Sequence, residues 1–317
     1  MSDAVVAVDV GGTSIKGALV DASGALLREV AVATPVVDGA DAVVATIRST
    51  VRDLAASADR VGGVGLVVPG DVDADGGVAR FSANLGWRDV PLRALLRDDL
   101  GLPTVLDHDV RAAGLAERTI GLARGRSDSL VAVIGTGIAA VITSAGRHVS
   151  GARWLAGELG HVAVWPDGEE CPCGQRGCLE RYASAASIAR RYADRSGGAE
   201  CGGERVDAAG VVARIGEDPV AAAVWSEAVD ALAIAFAACT MLIDPELIVL
   251  GGGLAAAGPA LREPVRAALA TRVVWRDVPA VELSTLGSRA GLLGAAILAW
   301  QAAGVTDFEG WTREAQR

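Results

Sequence analysis

From Val5 to Val10 the chain is apolar except at Asp9, and the run stops at Gly11-Gly12-Thr13 before a second apolar run at 17–20. The pattern predicts strand, glycine turn, strand, with a third strand at 29–33 extending the meander. Between Asp41 and Ala58, the apolar residues Val43, Val44, Ile47, Val51, Leu54 and Ala58 recur at three- and four-residue steps, which predicts an amphipathic helix. Residues 64–68 carry no polar side chain and close at Pro69-Gly70, as a buried strand running into a turn does. The order is ββαβ, followed by a strand at 104–106 and a helix at 110–118.

The second half repeats this logic. Residues 130–134, the turn Gly135-Thr136-Gly137 and residues 138–143 again read as strand, glycine turn, strand. Two such turns at the starts of two α/β halves predict an internal duplication, with both hairpins facing a shared cleft. Residues 196–205 form a Gly-rich surface loop in this reading, and 220–243 a long helix. A strand at 247–250 runs into Gly251-Gly252-Gly253, and 289–301 is the final helix. The last dozen residues are polar and are expected to fray.

Composition narrows the possible functions. Hydrophobic residues make up 51% of the 317 and charged residues 21%, enough apolar surface to offset the entropy of ordering, so disorder is excluded. The length suits two domains. Aromatics are only 4%, so Ala, Val and Leu must build the core, and 40 glycines point to tight turns and close backbone approaches. A net charge of −10 with no basic run argues against nucleic-acid binding. The start of the chain lacks a cationic export signal, and the most apolar window, 231–243, falls short of the roughly 20 residues that span a bilayer. A cytoplasmic protein with no membrane partner is expected. Five cysteines, an odd number, argue against a disulfide framework and direct attention to metal or redox roles.

Neither a P-loop nor a strand-to-helix Gly-x-Gly-x-x-Gly occurs, so the familiar nucleotide folds do not apply. The two glycine turns remain. Without side chains in the way, their backbone N–H groups and threonine hydroxyls can close around phosphate oxygens, and each is otherwise a plain hairpin. Asp9, at the end of the first strand, can hold Mg²⁺ directly or through water. The sharpest local signal is His161 with Cys171, Cys173 and Cys178, whose Cys-x-Cys-x₄-Cys spacing beside charged residues is not a core pattern. Three thiolates and an imidazole complete a tetrahedral zinc shell with no open position, so the zinc would be structural. Cys201 and Cys239 lie outside the spacing and read as packing residues.

With these motifs in place, the chain resembles the ROK proteins (repressors, open reading frames and sugar kinases) over nearly its whole length. The resemblance rests on DVGGTSIKG at 9–17, PGDVD at 69–73, SANLGW at 82–87, HDVRAAGLAE at 108–117, IGTGI at 134–138, GELGH at 157–161, CPCGQRGCLE at 171–180 and IVLGGGL at 248–254. It implies an α/β fold of two ribonuclease-H-like lobes of the actin, hexokinase and sugar-kinase superfamily with an interlobe cleft. The small lobe would span 1–115, with a C-terminal helix at 290–317 packing back on it. The large lobe would span 116–289, with a zinc-binding loop at 158–180. The implied activity is transfer of the γ-phosphoryl of Mg·ATP to a hexose, glucose first, in a homodimer.

Carried over by residue, the resemblance makes Asp109 the catalytic base. It places ATP at Asp9, Gly11, Gly12, Thr13, Lys16, Thr136, Gly137 and Gly251 to Gly253. Sugar hydroxyls would meet Asn84, Asp109, Glu158, His161 and Glu180, with Gly70 and His108 as further candidates. His161 would serve the zinc through one ring nitrogen and the sugar through the other. The family's Asn-Asp-x-Asn stands here as His108-Asp109-Val110-Arg111. The base is kept, but a histidine replaces an amide that reads hydroxyl orientation, so another hexose or an N-acyl amino sugar is the alternative substrate. The donor is equally open between ATP and polyphosphate. Arg111 reads either as the partner of a local carboxylate, the preferred reading, or as a solvated helix residue. A non-catalytic, sugar-sensing ROK regulator is the alternative of another class; only eight residues precede Asp9, too few for a DNA-binding module.

Overall fold

The computed structural model describes residues 4–198, 200–201 and 204–311. Two compact units divide the chain, Met1–Arg124 with Arg289–Arg317, and Gly125–Ser288.

The first unit contains β1 (Ala4–Val10), β2 (Ser14–Asp21), β3 (Leu26–Ala33), β4 (Val61–Val68), β5 (Asp71–Asp73), β6 (Val78–Ser82), β7 (Trp87–Val90) and β8 (Thr104–His108). Its main sheet has the order β3-β2-β1-β4-β8. The β1–β2 and β2–β3 pairs are antiparallel, while β1–β4 and β4–β8 are parallel. Every residue of β1 except Asp9 is buried, because helices cover both faces of a central strand. Ala4, Val6, Val8 and Val10 share a core with Val43, Ile47, Val51 and Leu54 of helix Ala40–Ala55 and with Leu92 and Leu96 of helix Leu92–Leu100. Val44 and Ala58 only flank that core, and the helix stops at Ala55.

Helix Ala290–Ala302 packs on β1 and β4. It comes close because Gly65 has no side chain: a Cβ there would lie 1.9 Å from the Ala295 carbonyl oxygen. The first segment of this unit runs to Arg124. Helix Asp109–Thr119 packs along its length on Ala290–Ala302, where Gly294 meets the Ala112 backbone. The expected fraying of the polar C-terminus is corrected in part. Phe308 and Trp311 are buried, and Trp311 Nε1 donates to the Ala22 carbonyl at 2.9 Å. Residues 312–317 lie outside the described residues.

The second unit contains β9 (Ser129–Ile134), β10 (Ile138–Ser144), β11 (Arg147–His148), β12 (Glu200–Cys201), β13 (Glu204–Arg205), β14 (Leu247–Gly251) and β15 (Ala280–Leu283). Its sheet has the order β11-β10-β9-β14-β15, with two antiparallel pairs followed by two parallel ones. Order and strand senses repeat those of the first sheet, which is the duplication expected from the paired hairpins.

Helix Pro219–Ile243 is capped by Asp218, whose carboxylate accepts from the Val220 and Ala221 N–H groups, and it begins with proline. It is long and apolar enough to cross a membrane. Val224, Leu232 and Phe236, however, bury it in the core of this unit. Where a loop was expected at 196–205, β12 and β13 form a short antiparallel ladder; residues 199, 202 and 203 and the Cys201 side chain lie outside the described residues. Cys239 is half-buried, and burial pushes its thiol up.

Candidate functional site

In the first unit the chemistry-bearing residues collect at the carboxyl ends of parallel strands, where open α/β sheets place their ligands. β1 ends at Asp9-Val10, β4 at Val68 ahead of Pro69-Gly70, and β8 at His108, with Asp109 opening the next helix. Asp9 is the cross-strand partner of Lys16, so the two share a face of the hairpin. The carboxylate of Asp9 also lies against Gly291, where a Cβ would come within 2.5 Å of Oδ2. Burial first, and then the negative charge of Asp109, push the Asp9 carboxyl up to about 7, while Lys16 acts in the opposite direction. Two carboxyls that disfavour each other's charge are a setting that a divalent cation relieves.

Asp109 Oδ1 accepts from the Val110 N–H at 2.7 Å, and His108 Nδ1 accepts from the same group at 3.1 Å. His108 thus caps the helix, as an asparagine side chain can. Arg111 has the expected carboxylate partner: its Nε donates to Asp107 Oδ1 at 2.6 Å.

The Gly11-Gly12-Thr13 turn is closed by a 2.9 Å bond from the Gly11 N–H to the Ser14 carbonyl, and Thr13 at its tip is exposed. A Cβ on Gly12 would be 3.9 Å from Cβ of Asn84. Asn84 is exposed within the turn that joins β6 to β7, where its neighbour Leu85 is buried and anchors the turn. Gly70 has φ +103°, and a Cβ there would meet the Phe81 carbonyl at 2.2 Å, so its glycine is required by the backbone.

The second unit's turn repeats the closure, with Gly135 N–H donating to Gly137 O at 2.9 Å and Thr136 exposed. Glu180 braces this turn: its Oε2 accepts from the Ile138 N–H at 2.8 Å and lies against Gly137. Gly252 has φ +81°, and a Cβ on it would lie 2.4 Å from the Ile134 carbonyl, so the Gly251–Gly253 run sits at the end of β9 beside the same turn. Glu158 is exposed, ahead of the short helix Leu159–His161.

His161, Cys171, Cys173 and Cys178 are gathered with their donor atoms all within 4.8 Å of one another. Cys171 Sγ is 3.9 Å from His161 Nδ1, and Cys173 Sγ is 3.7 Å from Cys178 Sγ. Burial, then the neighbouring thiols, push Cys178 up to about 12. Tyr182 lies just beyond the cluster, and its hydroxyl accepts from the Glu169 N–H at 2.7 Å. Arg191, stacked 4.7 Å over the Tyr182 ring, pairs with Glu169 and Glu227 and ties the cysteine loop to the long helix.

The structure therefore gathers Asp9, Lys16, Asp109, Gly12 and Asn84 in one unit, and Thr136, Gly137, Glu180, Gly251 to Gly253 and the Cys₃His group in the other. Asp107 and Gly291 were not among the sequence candidates. Asp107 carried no motif of its own, and Gly291 is one of several small residues in an apolar helix.

A family model described as the ROK family matches residues 5–302. A glucokinase of Thermotoga maritima is 34% identical over 305 residues, covering 92% of this chain and 96% of that protein. A ROK family glucokinase from Streptomyces griseus, solved in complex with glucose and AMPPNP, superposes with a TM-score of 0.83 at 31% identity, covering 94% of this chain and 99% of that one. A ROK hexokinase from Thermus thermophilus superposes with a TM-score of 0.81 at 32% identity, covering 95% and 99%.

Proposed function

The chain belongs to the ROK family, and from that premise we propose that it is an ATP-dependent hexose kinase of the actin and hexokinase fold, with glucose as its sugar. The observation that carries this reading is Asp109 at the end of a parallel strand, next to Asp9 and the glycine hairpin. Phosphoryl transfer asks for in-line positioning and charge neutralisation more than for covalent chemistry. With Oδ1 held by the Val110 N–H, Asp109 Oδ2 is left to take the proton of the sugar 6-hydroxyl. The Thr13 and Thr136 turns, with Lys16 and Gly251 to Gly253, bind the nucleotide. Asn84, Glu158, His161 and Glu180 bind the sugar, with His108 beside the base.

Asp9, whose carboxyl is raised by burial and by Asp109, fits a magnesium site. Bound Mg²⁺ supplies charge neutralisation for the phosphates. The Cys₃His group fits zinc: with Zn–S near 2.3 Å, two sulfurs of a tetrahedron stand about 3.8 Å apart, and the Cys173–Cys178 separation is 3.7 Å. All four ligands come from protein, so the metal fixes the loop that presents Glu158 and Glu180 without entering the chemistry. A cytoplasmic homodimer completes the reading. Coupled ADP release over about a dozen hexoses and hexosamines tests it: glucose should give the highest kcat/KM, and preference for an N-acyl amino sugar would reassign the substrate.

A further inference from the structure

Both departures from the family's catalytic segment sit in one bonded network around the base. Arg111 lies two residues after Asp109, on the same helix. Its Nε donates to Asp107 Oδ1 at 2.6 Å, and its Nη2 donates to the Val72 carbonyl at 3.1 Å. Asp107 Oδ1 also accepts from the His108 N–H at 2.7 Å. The pair is largely out of solvent, with side-chain exposures of 10% for Arg111 and 19% for Asp107. One guanidinium thus joins three elements: the end of strand β8, the helix that begins at Asp109, and β5. Val72 of β5 pairs with Ala79 of β6, and β6 leads into the turn that carries Asn84.

We infer that Arg111, anchored by Asp107, is a positioning residue that fixes the base Asp109 relative to the sugar-reading meander. The inference rests on the kinase reading above. A lysine at 111 can satisfy Asp107 as a point charge, but it lacks the planar fork that reaches a carboxylate and a carbonyl together. Asparagine, the family's common residue, is too short for either and strands the Asp107 carboxylate in a poorly solvated place. A displacement of about 1 Å in a reacting group can cost about 10²-fold in rate.

The test compares kcat, sugar KM, ATP KM and melting temperature for wild type, Arg111→Asn, Arg111→Lys and the double variant Asp107→Asn/Arg111→Asn. Arg111→Asn should lower kcat by about 10-fold or more and raise sugar KM, with ATP KM within about twofold. Arg111→Lys should recover part of kcat. The double variant, freed of the stranded carboxylate, should regain melting temperature but not kcat. That split separates positioning from simple stabilisation. The inference is overturned if Arg111→Asn keeps kcat and both KM values within about twofold of wild type, or if the double variant restores kcat together with stability. Should Arg111→Asn not fold, an unchanged kcat in Arg111→Lys overturns it. A wild type that releases no ADP with any sugar removes the kinase reading and this inference with it.

Discussion

At the same place in two sheets of identical strand order, Asp9 faces Lys16 across the β1–β2 ladder, whereas Val133 faces Ala139 across β9–β10. Both ladders run into a glycine and threonine turn closed by a 2.9 Å backbone bond. The backbone has been repeated and the charges have not. In the first unit a carboxyl is buried near a second one, and burial first, then that neighbour's charge, raises its pKa. In the second the acid near the turn, Glu180, arrives from a distant segment and spends one oxygen on the Ile138 N–H. The inserted segments differ to match, a meander presenting Asn84 in one unit and a cysteine loop preceding Glu180 in the other. A repeated sheet plan thus supplies two alike turns, and what each unit does is decided by residues that the sheet leaves free. On the proposed function, proton transfer belongs to the first unit, and the second positions nucleotide and sugar.

The largest effect should come from neutralising the acid of each unit in turn. Asp109→Asn keeps size and removes the proton acceptor, so kcat should fall by about 10² to 10⁴, roughly 3 to 5.5 kcal/mol of barrier, with ATP KM little changed. Glu180→Gln should act chiefly on KM, with kcat down by no more than about 10-fold. Steady-state kinetics of both variants would break the comparison if the two losses were alike. Next comes the metal loop. Elemental analysis should find one zinc per chain, and Cys173→Ser should shed it and lower the melting temperature by about 10 °C. Cys173 is exposed, so packing loss cannot account for such a drop; full metal retention in the variant would refute the ligand set.

A smaller effect separates neighbouring glycines. Gly252→Ala places a Cβ on the Ile134 carbonyl at positive φ and should cost about 2 kcal/mol in denaturant unfolding. Gly253→Ala, with open space around it, should stay within about 0.5 kcal/mol. The last is a pH effect. The folded state raises the Asp9 carboxyl to about 7 from 3.8, so the folded protein binds the extra proton between those values. Metal-free stability should therefore fall as pH rises through that window, by roughly 2.5 kcal/mol between pH 5 and 8, and Asp9→Asn should remove this slope. Unfolding curves at pH 5 and 8 without magnesium measure it. An equal slope in both proteins would assign the pH dependence elsewhere.

Period and punctuation in the sequence located the long elements, because β1, β9 and helix Ala40–Ala55 are runs whose apolar spacing reflects burial on one or both faces. The ladder β5–β6–β7 gave no such signal. Its strands are short, and exposed Phe81 and Arg80 interrupt the alternation. Helix Pro259–Arg272 was hidden by Pro264 in its interior, which reads as a breaker in sequence. Among site residues, the cysteine spacing announced its own cluster, since four donors close in sequence need little folding to meet. The Asp9–Asp109 coupling and the brace from Glu180 to Ile138 depend on strand order, which residues far apart in the chain do not disclose. The Trp311 contact with Ala22 joins the two ends of the first unit, and a polar tail offered no sign of it.

The central claim, that this chain transfers phosphoryl from ATP to a hexose through a base in its first unit, is tested most directly by identifying the product. Zinc-loaded wild type incubated with Mg·ATP and glucose should yield ADP and glucose 6-phosphate in equal amounts by ³¹P NMR, and Asp109→Asn under the same conditions should yield neither at a comparable rate. A folded, metal-replete protein that forms no sugar phosphate from glucose or any other hexose would contradict the account.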